Sequence, residues 1–186
     1  MLFSKQVNIS HARVELALRE VTLADIPRIT LLAGDWDVAR MTGRIPYPYS
    51  EAAAIHWVEG LLPGEIVRAI TLEGELIGIC GIAPFEDDEK SAELGYWLGK
   101  PFWGFGYATT AARMIIKMAF EEMKIERLTA GHFTDNPASG RVLEKLGFNK
   151  TGPCLCWCDA RSREVDAINH ELHRPKSWWR RPVLPS

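Results

Sequence analysis

No apolar run in this chain approaches the roughly 20 residues needed to span a bilayer, and residues 1–11 lack the apolar core of a secretory leader. Neither sign of charge dominates. Lys and Arg number 22 against 24 Asp and Glu, a formal charge of −2, so nothing electrostatic calls for a nucleic-acid partner. Cysteine is sparse, at four residues. Cys154, Cys156 and Cys158 alternate, so on a strand they share one face about 7 Å apart. That spacing does not suit a disulfide within the strand, and a metal would need a further ligand and a geometry one straight strand cannot give. They read as reduced, small apolar side chains on a sheet face. No internal repeat, low-complexity tract or domain linker is present. These absences lead us to expect a cytoplasmic protein with no membrane partner, no nucleic-acid partner and no metal.

What is present suits one α/β domain. A chain of 186 residues that is 47% hydrophobic can bury a substantial core. Val14, Leu16 and Leu18 alternate with polar residues, as in a half-buried strand. Thr22 reads as the N-cap of a helix over residues 23–33, and a short helix follows over 37–41. Pro46 and Pro48 keep residues 43–49 irregular. Ser50 caps a helix over 51–61, ended by Pro63 and Gly64. Strands over 66–72 and 76–84 flank a turn at 73–75. Residues 85–90 read as a solvated acidic turn, 92–98 as a strand and 107–123 as a long amphipathic helix. A strand over 127–133 leads to a helix that starts at Pro137, runs to 146 and closes at Gly147. Strands over 148–158 and 165–172 form a final hairpin. The domain is placed at residues 13–174, with an extension over 1–12 and a tail over 175–186. Trp178 and Trp179 in that tail could be buried across a homodimer interface.

The stretch from Glu93 to Thr109 organises the rest. It is a strand, a turn rich in glycine and aromatics, and the first turn of a helix. Gly104 and Gly106 can adopt left-handed backbone angles and approach a bulky anion. The helix start adds unpaired N–H groups with a partial positive charge. Together they make a cradle for phosphate, or else an ordinary strand-to-helix turn. A dinucleotide fingerprint would need a third glycine where Thr109 stands.

Trp103-Gly104-Phe105-Gly106-Tyr107-Ala108-Thr109 resembles the pyrophosphate loop of the GCN5-related N-acetyltransferases. Asp135-Asn136-Pro137-Ala138-Ser139, followed by Leu143-Glu144-Lys145-Leu146-Gly147-Phe148, resembles that family's second signature. Within the family the chain is most similar to the branch holding ribosomal-protein N-terminal acetyltransferases. The resemblance implies a mixed, mostly antiparallel sheet of about seven strands flanked by about four helices and splayed between the fourth and fifth strands. It implies acetyl-coenzyme A as co-substrate, its pyrophosphate held by Trp103 to Thr109. Its pantetheine arm would lie along the strand edge at Tyr96, Trp97 and Leu98. Asn136 and Ser139 would reach the arm or the sulfur, although Asn136 before Pro137 is also good capping chemistry. Two positions depart from the family: Pro101 stands where Gln or Arg is frequent, and Leu143 where many relatives carry the Tyr that protonates the leaving thiolate. Ser139 is assigned that role in its place.

The implied reaction is direct attack of a primary amine on the thioester within a ternary complex. Deprotonating a lysine of pKa near 10.4 at pH 7 costs about 4–5 kcal/mol, an α-amine of pKa near 8 only about 1.4 kcal/mol. An N-terminal α-amine is therefore the expected acceptor, with a small-molecule amine as the alternative. Glu93 is the first candidate base and His132 the second, each with a bland reading as a strand carboxylate or a core histidine. The acceptor site would lie between residues 40–49 and the final hairpin, where Trp157, Arg161, Glu164 and Asp166 stand. Tyr47, Tyr49 and Trp57 would wall it, or merely anchor the proline-rich loop. Two further readings stay open: transfer of a longer acyl chain, and a non-catalytic acyl-coenzyme A-binding regulator.

Overall fold

The computed structural model describes residues 15–61 and 65–175. Val14, Pro63, Gly64, Trp178 and Trp179 lie outside the described residues, as do the expected N-terminal extension and most of the tail.

The architecture starts from a hairpin. Strand β2 (Ile66–Leu72) turns into β3 (Glu75–Phe85) through Glu73 at φ 51 and Gly74 at φ 86. Two successive left-handed residues match the right-handed twist of the flanking strands. The other strands are β1 (Leu16–Glu20), β4 (Asp88–Leu98), β5 (Arg127–Phe133), β6 (Asn149–Cys158) and β7 (Arg163–His173). They form one sheet in the order β1-β2-β3-β4-β5-β7-β6. All neighbours are antiparallel except β4 and β5, which run parallel and register at only three pairs: Ser91 with Arg127, Ala92 with Leu128 and Glu93 with Thr129. Past Glu93 the two strands part. The splay expected between the fourth and fifth strands is present.

Among the described residues, five α-helices flank the sheet: α1 (Ile26–Ala33), α2 (Trp36–Ala39), α3 (Glu51–Glu59), α4 (Tyr107–Glu121) and α5 (Pro137–Leu146). Helices α1 and α3 cover one face, where Ile26, Ile29, Leu32 and Ala54 pack on Ala69, Leu76 and Ile79. Helices α4 and α5 cover the other, over a core that includes Ile82, Leu94, Ile115, Phe120, Leu128 and Leu143. Ala111, Ala112 and Ala119 are fully buried along α4, and their small side chains let the helix lie close to the sheet. Phe120 is 1% exposed, so Phe120→Ala removes a ring from a packed site at about 3–5 kcal/mol.

Several boundaries differ from expectation for local reasons. The helix expected over 23–33 starts as a 3-10 turn, Leu23–Asp25. Pro27, in the first turn of α1, has no N–H to continue an α-helical ladder backward. Asp25 is buried there and bonds Arg19 at 2.6 and 2.8 Å. Helix α2 begins one residue earlier than expected and ends at Ala39, because Asp35 caps it by accepting from the Asp37 N–H at 2.8 Å. Helix α3 ends at Glu59, capped by Gly60. The acidic turn shrinks to Glu86 and Asp87, since Asp88 already pairs with Phe85 across the ladder.

Candidate active site

The loop entering α4 has the backbone its glycines suggest. Gly104 sits at φ 86 and Gly106 at φ 82, and a Cβ on either would meet no atom within 4 Å. Conformation, not crowding, is what calls for glycine. Among the described residues, no N–H from Gly104 to Thr109 has a backbone acceptor. They stand at the N-terminus of a 15-residue helix, a position that suits phosphate. The indole of Trp103 donates to the carbonyl of Leu98 at 2.8 Å and ties the loop to the end of β4. That bond occupies one of the edge groups expected to meet a pantetheine arm. The Leu98 side chain is itself buried in the core. Tyr96 and Trp97 lie on the edge that β5 has left. Phe105 is 68% exposed and stacks on Tyr107 at 5.7 Å. Pro101 lies in a 3-10 turn, Lys100–Phe102, ahead of the loop.

Strand β4 sends successive side chains to opposite faces, so the splay can be lined from both. On the α4–α5 face the Tyr96 hydroxyl lies 2.9 Å from Ser139 Oγ and 3.2 Å from the Ser139 carbonyl. Burial pushes the Tyr96 pKa up to about 12, with the Ser139 contact acting the other way. The tyrosine therefore holds its proton at neutral pH. Asn136 caps α5, its Oδ1 accepting the Ser139 N–H at 3.2 Å. The cap fixes the serine at the gap. Leu143 is fully buried and offers no hydroxyl there. His132 is also on this side, pressed so tightly under α5 that a Cβ on Gly140 would come within 2.7 Å of its ring. Its ring lies tilted against His170 at 5.0 Å, and burial lowers the pKa of both rings. That is the setting of a packed histidine.

Glu93, Gly95 and Trp97 face the other way. Glu93 stands where the strands separate and pairs with Arg44 at 2.9 Å, its side chain 44% exposed. A Cβ on Gly95 would meet nothing within 4 Å, so the surface between Glu93 and Trp97 is open. The structure thus brings Glu93 and the Tyr96–Ser139 pair to one gap from opposite faces, and leaves His132 under a helix.

The three aromatics do not share a surface. Tyr49 and Trp57 pack with the α1–α3 cluster, whereas Tyr47 is 49% exposed and stands edge-on to Trp36 at 5.0 Å. Of the hairpin residues, Arg161 bonds Asp135 at 2.8 Å, and Trp157 donates to Asp159. Cys154 and Cys156 place their sulfurs 3.6 Å apart, both unbridged. Burial pushes the Cys156 thiol up to about 11, so it is not a thiolate at neutral pH and makes a poor nucleophile.

Sequence reasoning missed two contacts: the hydroxyl of Tyr96 on Ser139, and Arg44 on Glu93. The period of two in β4 separates Glu93 from Tyr96 by face. No local signal gives partners 43 and 49 residues away.

Residues 15–149 match the model of the acetyltransferase (GNAT) domain. The chain belongs to the GNAT acetyltransferase family. This GNAT chain is 28% identical over 163 residues to an uncharacterized N-acetyltransferase, p20, of Bacillus licheniformis, covering 84% of itself and 92% of that protein. It is 31% identical over 97 residues to the ribosomal-protein-serine acetyltransferase of Escherichia coli, spanning 52% of itself and about half, 54%, of that relative. Its fold matches the solved structure of RimL, a ribosomal L7/L12 alpha-N-protein acetyltransferase in complex with coenzyme A, with a TM-score of 0.76 at 20% identity. That match covers 89% of this chain and 97% of the other.

Proposed function

We propose that this GNAT protein transfers the acetyl group of acetyl-coenzyme A to a primary amine, the α-amine of a protein N-terminus, by direct attack within a ternary complex. The observation that carries the reading is the gap between β4 and β5. It has, at one end, a row of amides from Gly104 to Thr109 with no backbone acceptor among the described residues, a carboxylate on one lip and a hydroxyl pair on the other. The thioester supplies an activated acetyl group; the protein supplies position and proton transfer. The loop amides would hold the pyrophosphate, and the free edge at Tyr96 and Trp97 would take the pantetheine amides. Glu93 accepts the proton of the amine as it attacks. Ser139 donates a proton to the departing thiolate and is held in place by Tyr96 and the Asn136 cap.

Support for a protein N-terminus comes from the α-amine's low cost of deprotonation and from relatives that act on ribosomal proteins. The open surface at Gly95 would admit an extended chain. The test is thiol release from acetyl-coenzyme A against a panel of N-terminal peptides, free amino acids and small amines. Turnover on peptides sustains the reading, and turnover on free amines alone replaces it with a small-molecule acetyltransferase. Tight coenzyme binding without turnover on any amine would favour a regulatory binder.

A further inference from the structure

A cleft of about 480 Å³ opens between α2 and the turn that joins β6 to β7, lined by Trp36, Arg40, Ala160, Arg161 and Arg163. Three of these five residues are arginines and none is a carboxylate. Arg161 is nine-tenths buried and bonds Asp135 at 2.8 Å. It lies over the Phe133 ring at 5.3 Å. Its Nε is buried without a hydrogen-bond partner among the described residues, a state that folded proteins rarely leave unanswered. Arg40 directs Nε to Asp37 at 2.9 Å and brings Nη1 to 3.8 Å from Asp135. Arg163 is exposed and makes no side-chain ion pair among the described residues.

The nearby carboxylates are already committed. Asp135 meets both Arg40 and Arg161, and Asp37 meets Arg40 and Lys100, the latter at 2.7 Å. The charged residues of the lining itself are therefore all positive. Trp36, 43% exposed, adds an apolar wall.

The cleft is tied to Glu93 by one segment. The turn at Asp159 donates to the Gly43 carbonyl at 3.0 Å, and Arg44, next along, pairs with Glu93. Arg40 and Arg44 are four residues apart, so their Cα atoms are separated by no more than about 14 Å, one lining the cleft and the other pairing with Glu93. An acceptor with its amine at Glu93 that runs along this segment would bring its following residues to the cleft.

We propose that this cleft binds an anionic group of the acceptor, a carboxylate or a phosphate carried within about four residues of the reacting amine. The proposal rests on the amine-acceptor reading above and names the kind of acceptor. Guanidinium groups match both anions through paired N–H donors.

Titration calorimetry on the full chain, with coenzyme A present, tests it without requiring turnover. The probes are three amidated peptides: Ala-Glu-Asp-Gly, the neutral Ala-Gln-Asn-Gly, and Ala-Ala-phosphoserine-Gly. At least one charged peptide is expected to bind about tenfold more tightly than the neutral one. Which of them gains identifies the anion. Arg163→Gln, at an exposed position, should remove most of that gain and leave the neutral peptide's Kd unchanged. Arg161→Lys, which keeps the charge but loses the fork, should reduce it too. Equal affinity for all three peptides, no binding of any, or a preference that survives Arg163→Gln overturns the proposal. A preference that holds while no acetyl transfer occurs supports the cleft and counts against the transfer reaction.

Discussion

The two sides of the β4–β5 gap are built differently. The side proposed to hold the coenzyme's pyrophosphate is one continuous run of chain: strand β4, a 3-10 turn, two left-handed glycines and the start of α4. Its donors are backbone amides whose direction follows from local dihedral angles. The side proposed to take the acceptor is assembled from distant pieces. Arg44 meets Glu93 across 49 residues, Cys158 donates to the Thr42 carbonyl across 116, and Arg161 lies against Met41 across 120. A site made of contiguous backbone tolerates changes in the side chains around it. A site made of side chains drawn from three segments can change its substrate with a few substitutions. That contrast fits the general pattern in which one fold hosts different substrates through changes at its site.

Perturbing each side separately should break the comparison cleanly. The largest expected effect is on the acceptor side. Glu93→Gln should lower turnover by about 10²- to 10⁴-fold while coenzyme affinity stays the same, read by thiol release and by calorimetry. Unchanged turnover across the pH profile would remove Glu93 from the mechanism. On the coenzyme side, Gly106→Val forces a β-branched residue into left-handed backbone at a cost of about 1–2 kcal/mol or more. Coenzyme affinity should fall about tenfold or further, with the acceptor's Kd little changed. Tyr96→Phe keeps the buried ring and removes only the hydroxyl that steadies Ser139. It should reduce kcat by roughly tenfold or less and leave both Kd values in place, whereas a change in coenzyme Kd alone would make Tyr96 a packing residue.

The smallest effect concerns the histidine pair that underlies α5. Burial lowers the pKa of His132 and His170 from the ordinary value of 6.5, so the unfolded chain binds these protons more readily than the folded one. Their contribution is fully present above pH 6.5 and is lost as pH falls through that value toward the lowered ones. Urea midpoints should therefore decline on acidification from pH 7.5 to 5.5. A His170→Gln variant should show a shallower decline, and an identical slope would contradict this.

How much of this was legible in the sequence follows the same division. The strand-forming runs of β2 and β5, Pro137 at the start of α5 and Gly147 at its end fix those elements at the residues expected, because each signal acts within a few residues. The seven-strand sheet and its splay came through the motif resemblance, since pairing between β4 and β5 leaves no local mark. The start of α1 was misjudged because Pro27 outweighs the cap at Thr22. The pairing of Tyr96 with Ser139 needs the splay, the Asn136 cap and the face of β4 together. The arginine cleft was hidden further still. The hairpin residues Arg161, Glu164 and Asp166 carry both signs in the sequence, and only the fold turns Arg161 and Arg163 to the opening beside Trp36.

The central claim is that the amides from Gly104 to Thr109 grip the pyrophosphate of an acyl carrier and set its thioester at the gap. Calorimetric titration of the full chain with acetyl-coenzyme A, beside the same titration of Gly106→Val, tests it most directly. The account predicts saturable one-to-one binding that the substitution weakens about tenfold or more. Absence of heat with the unaltered chain, or equal affinity in both proteins, would contradict it.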